Sequence, residues 1–230
     1  MINKHKIKKG IVLLSGGIDS VVTAAYAQKM GYKIIPLFFD YGQIVLKKEL
    51  FCAHSLAKLL KLQPLMIIKL PWLRLISGKS GLIRKNIKLI SKKTWTREYV
   101  PFRNTIFLSI ATALAESLAA NAIFVGSTAT DRICPDNRPI YLKAMQKVIR
   151  RGTKLKTDIK LLAPLVFKTK TEIVRMGHKL NIPFQFTWSC HKTNKNPCGL
   201  CSNCVSRSKA FRNNNLKDPI VYEPSKCKRD

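Results

Sequence analysis

Short apolar runs alternate with helical apolar patterns along this chain. Ile11-Val12-Leu13-Leu14 is an unbroken apolar run of strand length. After two glycines comes Val21-Val22-Thr23-Ala24-Ala25-Tyr26-Ala27, apolar but built of helix formers. The pattern predicts a buried strand, a tight turn and a helix beginning near Ser20. Lys33 to Phe39 reads as a second buried strand despite Pro36, and Pro64 to Leu70 as a third. Between them, Val45 to Leu60 has apolar residues at helical spacing. Thr105 to Ala120 is hydrophobic on nearly every face, which predicts a helix buried all round. Ala122 to Val125 is a further short strand, and Ile140 to Arg150 an amphipathic helix. Thr169 with Glu172 three residues on fits a capping box, opening a helix to about Leu180. A last helix is expected over Ser202 to Arg212.

This alternation predicts an α/β fold, a doubly wound and mostly parallel sheet with helices on both faces. Ligands of such sheets lie at the C-terminal ends of the strands, here between Ser15–Ser20 and Asp40. Residues 71–98 break the rhythm. No long strand feeds Ser77-Gly78-Lys79-Ser80-Gly81, so the stretch reads as a surface insertion or lid over the crevice. The expected organisation is an α/β domain over residues 1–186 and a small C-terminal cysteine-bearing appendage over 187–230.

Composition adds limits. A chain of 230 residues that is 46% hydrophobic can bury one good core. Its formal net charge is +30, from 42 basic and 12 acidic residues. Nucleic-acid binding is one reading. However, 30 of the basic residues are lysines scattered along the chain, whereas base readout favours clustered arginine. The charge therefore reads as compositional drift, with weak nonspecific RNA affinity as a by-product and no specific nucleic acid. No apolar run approaches the ~20 residues that span a membrane. Basic Met1 to Lys9 leads straight into a strand rather than a cleavage site. The expected location is cytoplasmic, where seven cysteines serve as thiols or metal ligands.

The chemistry is concentrated in Ser15-Gly16-Gly17-Ile18-Asp19-Ser20. Glycines let the backbone approach a ligand, and a helix start offers N–H groups and a positive dipole end. The segment is expected to bind phosphate. It lacks the lysine of a Walker A loop, and Asp19 stands near that place. A carboxylate beside polyphosphate requires a divalent cation between them, so magnesium is expected with the nucleotide. SGGIDS resembles the PP-loop of the N-type ATP pyrophosphatases. That resemblance implies attack at the α-phosphorus, adenylation of a substrate oxygen and release of pyrophosphate.

Cys190, Cys198, Cys201 and Cys204 form C-x7-C-x2-C-x2-C, with Pro197 and Gly199 in the turn. Four thiolates suit tetrahedral zinc and leave no open position, so one structural zinc per chain is expected. A redox pair and an iron–sulfur cluster are the alternatives.

The motifs together resemble the 7-cyano-7-deazaguanine synthase family of queuosine biosynthesis. They are LSGGIDS, FDYGQ, VPFRN followed by IFLS, PDNR, KTEI, and TWSC-x7-CGLCSNC, in that order over nearly the whole chain. The resemblance implies an adenine nucleotide alpha hydrolase-like fold and a ligase forming carbon–nitrogen bonds. It would convert 7-carboxy-7-deazaguanine and ammonia to the nitrile, with ATP, through adenylated intermediates. By position, Leu14, Ser15, Gly16, Gly17, Ile18, Asp19, Ser20, Val21, Val22, Thr23 and Ala24 would bind ATP. Asp19, Ser20, Arg103 and Lys170 would be catalytic, and Asp131, Asp136 and Arg138 would hold the substrate. The four cysteines would hold zinc, and a homodimer is the expected assembly. The chain departs from the family pattern at Ile18, at His191 and in the loop Asp131 to Pro135. Two rival readings remain: a PP-loop tRNA-modifying enzyme, with Cys134 as the candidate sulfur carrier, and a zinc-knuckle RNA-binding protein.

Overall fold

The computed structural model describes residues 7–78, 80–84, 98–154 and 158–223. Residues 85–97 of the expected insertion and 224–230 of the expected appendage lie outside the described residues. Five strands form one sheet: β1 Lys8–Leu13, β2 Tyr32–Asp40, β3 Met66–Lys69, β4 Ala122–Phe124 and β5 Lys160–Leu162. Their order is β3-β2-β1-β4-β5, and every neighbouring pair is parallel. The helices are α1 Ile18–Lys29, α2 Leu46–Leu59, the short α3 Leu73–Ile76, α4 Arg103–Ser117, α5 Pro139–Gly152, α6 Lys170–Lys179 and α7 Ser202–Arg212. Parallel strands cannot be joined by hairpins, and the connections between them carry helices onto the faces of the sheet.

Residue alternation in the strands sorts the core into two layers. Val12, Leu14, Ile34 and Phe38 face the side covered by α1, α2 and α6, with Val21, Val22, Leu56, Ile173 and Val174. Ile11, Leu37, Phe39 and Ile123 face the side covered by α4 and α5, with Phe107, Leu108, Met145 and Ile149. Burial on both faces explains why β1 reads as a continuous apolar run rather than an alternating one. The chain adds strands outward from β1 through β3, then returns to place β4 on the other side of β1. That reversal opens a crevice between the ends of β1 and β4.

Pro36 is accommodated by position. Leu14 N donates to Leu37 O at 2.8 Å, so the Leu37 peptide faces β1 and that of Pro36 faces the opposite side. There β3 pairs only from Leu37 onward, so the missing N–H falls before the ladder begins.

Three elements differ from expectation. Helix α1 starts at Ile18, two residues early, because Gly17 already has the extended backbone of an N-cap. Helix α4 starts at Arg103 and is buried on one side only. Phe107, Leu108, Ala111 and Ala115 are buried, while Ser109 and Ala113 are exposed. Alanines raise the apolar count without requiring burial. Strand β5 had no sequence signal of its own, being three residues long at the sheet edge. Within 71–84, Leu73, Leu82 and Ile83 are buried in the α4-side core.

Candidate active site and four-cysteine cluster

The pocket opens at the C-terminal ends of β1, β2 and β4, where the strand order reverses. It is a cavity of about 290 Å³, the scale of a small-molecule site. Leu14, Ser15, Asp19 and Ser20 line one side, and Val125, Gly126 and Ser127 the other.

Several hydrogen bonds fix the loop. The Ser20 hydroxyl accepts from Ser15 N at 3.2 Å and donates to Gly17 O at 3.0 Å. Gly16 has φ +81°, and a Cβ there would stand 2.6 Å from the carbonyl oxygen of Glu49 on α2. Gly126 lets the end of β4 come close to the same turn, since a Cβ there would lie 3.2 Å from Ser20 N. The first-turn N–H groups of α1, which no helix carbonyl can reach, are thereby presented at the crevice. Ile18, Val21, Val22, Thr23 and Ala24 are buried in α1, within the domain rather than along the pocket.

Asp19 meets two charged neighbours. Lys170, in the first turn of α6, donates to Asp19 Oδ2 at 2.5 Å. The other oxygen, Oδ1, is buried without a partner. Asp131 accepts from Thr128 N at 2.9 Å and Thr128 Oγ1 at 2.8 Å. Burial, and then the Asp19 charge, push its carboxyl above the usual aspartate range. Two crowded carboxylates with an orphaned oxygen are a donor set that fits a hard divalent cation. The start of a helix disfavours a cation, and at the start of α6 the Asp19 carboxylate offsets this for Lys170.

The far end of the pocket is built on α4 and the β2–α2 turn. Phe102 enters α4 in the left-handed region, at φ +56°. Arg103 follows; its Nη1 donates to Tyr41 OH at 3.1 Å, while its Nε is buried without a partner. A guanidinium at a helix start with a free donor suits a carboxylate or phosphate oxygen. Asn104 does not cap its own helix. Its N and Nδ2 donate to Asp136 at 2.9 and 3.2 Å. Asp136 is thus engaged at the start of α4, and Arg138 Nε donates to Arg132 O; neither lines the pocket. Asp40 likewise accepts from Gly42 N in its turn, and Phe39, Tyr41 and Gln43 line the pocket in its place. Sequence reading missed Glu49, Asn137, His191 and Asn203, which also line it. Only Glu49 carried a trace, as an acidic residue on the first turn of a helix otherwise apolar and basic.

The four cysteines converge. Their sulfurs all lie within 4.8 Å of one another. Four thiolates around zinc at ~2.3 Å stand about 3.8 Å apart, so a bound ion would draw the sulfurs in by up to about 1 Å. Cys190, Cys201 and Cys204 are buried. Cys190 Sγ accepts from Lys192 N and Cys198 N, at 3.4 and 3.5 Å, and Cys198 Sγ accepts from Cys201 N at 3.4 Å. Convergent, buried sulfurs facing backbone N–H groups fit a closed metal site. The cluster joins the nucleotide loop through one residue. Trp188 N donates to Gly16 O at 2.9 Å, and Trp188 Nε1 donates to Cys190 O at 2.7 Å.

Similarity to known proteins follows the same ground. The profile of the family described as "Queuosine biosynthesis protein QueC" matches residues 9–215. The 7-cyano-7-deazaguanine synthase of Methanosphaerula palustris is 42% identical over 94% of this chain and 99% of its own length. That of Nautilia profundicola is 40% identical over 94% and 99%. That of Thermoplasma volcanium is 43% identical over 94% and 91%. Among solved structures, the NMN synthetase of Francisella tularensis is 15% identical, with a TM-score of 0.49, over 94% of this chain and 81% of that one. Likeness at that level says nothing about chemistry. The sequence matches do, and on them the chain belongs to the QueC family of queuosine biosynthesis proteins, the family of the 7-cyano-7-deazaguanine synthases.

Proposed function

We propose that this chain converts 7-carboxy-7-deazaguanine and ammonia to 7-cyano-7-deazaguanine, consuming two ATP. One observation supports this above the others: a helix-start phosphate loop, an acidic pair and an unsatisfied arginine donor share one pocket at the strand reversal. A substrate carboxylate oxygen attacks the α-phosphorus and pyrophosphate leaves. Ammonia then displaces AMP to give an amide. The amide oxygen is adenylated in turn, and loss of AMP leaves the nitrile. Both substrate oxygens depart on AMP, so no water is consumed.

In this reading Ser15 to Ser20 hold the β- and γ-phosphates through backbone N–H groups. Asp19 and Asp131 would hold magnesium, which neutralises the leaving pyrophosphate. Lys170 holds Asp19 in place, and Arg103 neutralises the substrate carboxylate and positions it. Cys190, Cys198, Cys201 and Cys204 would hold one zinc, which supplies a structural cross-link. Among the described residues of 71–98, Leu82 lines the pocket, and this stretch would border the crevice, while residues 187–223 would act as an appendage to the nucleotide domain. Among the described residues no helix is long and apolar enough to cross a membrane. The proposed setting is the cytoplasm.

A sulfur-transfer reading is disfavoured by Cys134. Burial pushes its thiol up, the wrong direction for a nucleophile at neutral pH. The test is incubation with ATP, magnesium, ammonium and 7-carboxy-7-deazaguanine, followed by mass spectrometry. The nitrile, AMP and pyrophosphate are expected; ADP and phosphate would overturn the reading.

A further inference from the structure

Glu49 is a carboxylate that the chemistry above leaves unused. It lies on α2 and lines the same pocket as Asp19 and Arg103. Its Oε2 accepts from Gln43 Nε2 at 3.2 Å, and its Oε1 has no hydrogen-bond partner among the described residues. Gln43 is itself locked. Its Nε2 also donates to Phe39 O at 3.0 Å, and its Oε1 accepts from Tyr41 N at 2.9 Å. The amide therefore cannot rotate, and it holds the carboxylate in one orientation.

We propose that Glu49 recognises the pyrimidine edge of the substrate base, accepting hydrogen bonds from its ring N–H and its exocyclic amine. The inference rests on the function proposed above and deepens it. An ionised carboxylate is an acceptor-only group with two oxygens, matched to two parallel donors. A guanine-type base carries such a pair, ring N1–H beside the 2-amino group. Burial pushes the Glu49 carboxyl up, so the ionised form gains from every donor supplied to it.

Of the other substrates, ATP offers an exocyclic amine beside an acceptor ring nitrogen, which a carboxylate repels, and ammonium offers donors on every side. The Arg103 charge already acts at Glu49, so a second cation there would meet repulsion. A neutral base avoids that repulsion. The walls also suit a planar ring. The Phe39 and Phe107 rings stack with centroids 4.0 Å apart, and the Tyr41 ring lies 5.6 Å from that of Phe107. The 7-substituent sits on the opposite side of the bicyclic base from the amine. A base anchored at Glu49 thus directs its carboxylate away from α2, leaving it free for activation.

Equilibrium binding of 7-deazaguanine, which has no group to activate, reads this contact without turnover. Wild type should bind it about 10- to 100-fold more tightly than Glu49→Gln, in which one acceptor becomes a donor. Wild type should also prefer it to 7-deazahypoxanthine, which lacks the amine, and Glu49→Gln should lose that preference. In turnover, the KM for 7-carboxy-7-deazaguanine should rise in the variant while the KM for ammonium holds. A rise in the ammonium KM with unchanged 7-deazaguanine binding would overturn the inference and mark an ammonium site. If Glu49→Gln does not fold, equal affinity of wild type for the two bases overturns it on its own. Should wild type fail to convert the carboxylate yet bind 7-deazaguanine through Glu49, the proposed reaction falls and the base contact stands.

Discussion

Asp19 has one oxygen on Lys170 and the other on nothing. A buried acceptor without a donor is costly, and such groups are retained where a ligand completes them. Asp19→Asn keeps the volume and removes the charge. AMP formation should fall by about 100-fold or more, the scale of losing one charge-stabilising group in a closed site. The melting temperature should hardly move, because the Asp19–Lys170 pair is only partly buried. Turnover at the wild-type rate would make Asp19 a bystander. The neighbouring carboxylates show where sequence runs out at this scale. Asp19, in its glycine loop, is legible as a site residue. Asp136, in PDNR, has the same appearance, yet its oxygens meet the start of a helix more than 30 residues earlier. Nothing local to residue 136 encodes that partner.

Among the elements, α6 shows how a cap positions a site residue. Thr169 Oγ1 accepts from Glu172 N at 3.3 Å, and Thr169 N donates to Glu172 Oε2 at 2.8 Å, the reciprocal pair expected from the sequence. Lys170 follows immediately, so the cap fixes the start of the helix that carries the lysine to Asp19. Hydrogen bonds from Thr169, its backbone N–H first, hold the Glu172 carboxyl below the usual glutamate range. A lowered acid stabilises the fold fully above its unfolded value, and that contribution is lost as pH falls through the folded value. Glu172→Ala should therefore melt a few degrees lower at neutral pH, and the gap should narrow on acidification below the ordinary glutamate range. Thermal melts across that range check it; a gap independent of pH would remove Glu172 from the cap. The box was legible because all its residues lie within four positions. Helix α4 was less so, since its N-terminal partner comes from Asp136 and its outward face is lined with alanine and serine rather than charge.

At the scale of the molecule, the cysteine cluster and Arg207 join the C-terminal segment to the rest. Arg207 is buried and donates to Asp218, Thr187 Oγ1 and Phe184 O. Trp188 carries the connection from Cys190 to Gly16. If the four sulfurs hold zinc, metal binding contributes directly to folding and supports the nucleotide loop. Cys201→Ser should lower zinc content and melting temperature together, with activity falling as a consequence, and elemental analysis should find about one zinc per wild-type chain. Metal-free protein that melts and turns over like the loaded form would refute this.

What the sequence determined by itself is what short range encodes. Hydrophobic period gave the buried strands and the alternation, glycine spacing gave the loop, the i,i+3 pair gave the cap, and cysteine spacing gave the four-sulfur cluster. The tertiary structure alone decided the strand order, with its reversal between β1 and β4, and hence which strand ends share the pocket. It alone brought Lys170 to Asp19 and placed Glu49, Asn137, His191 and Asn203 in one pocket. These residues are scattered across the chain and have no mutual spacing to read. They meet because burying both faces of the sheet fixes where its strands end.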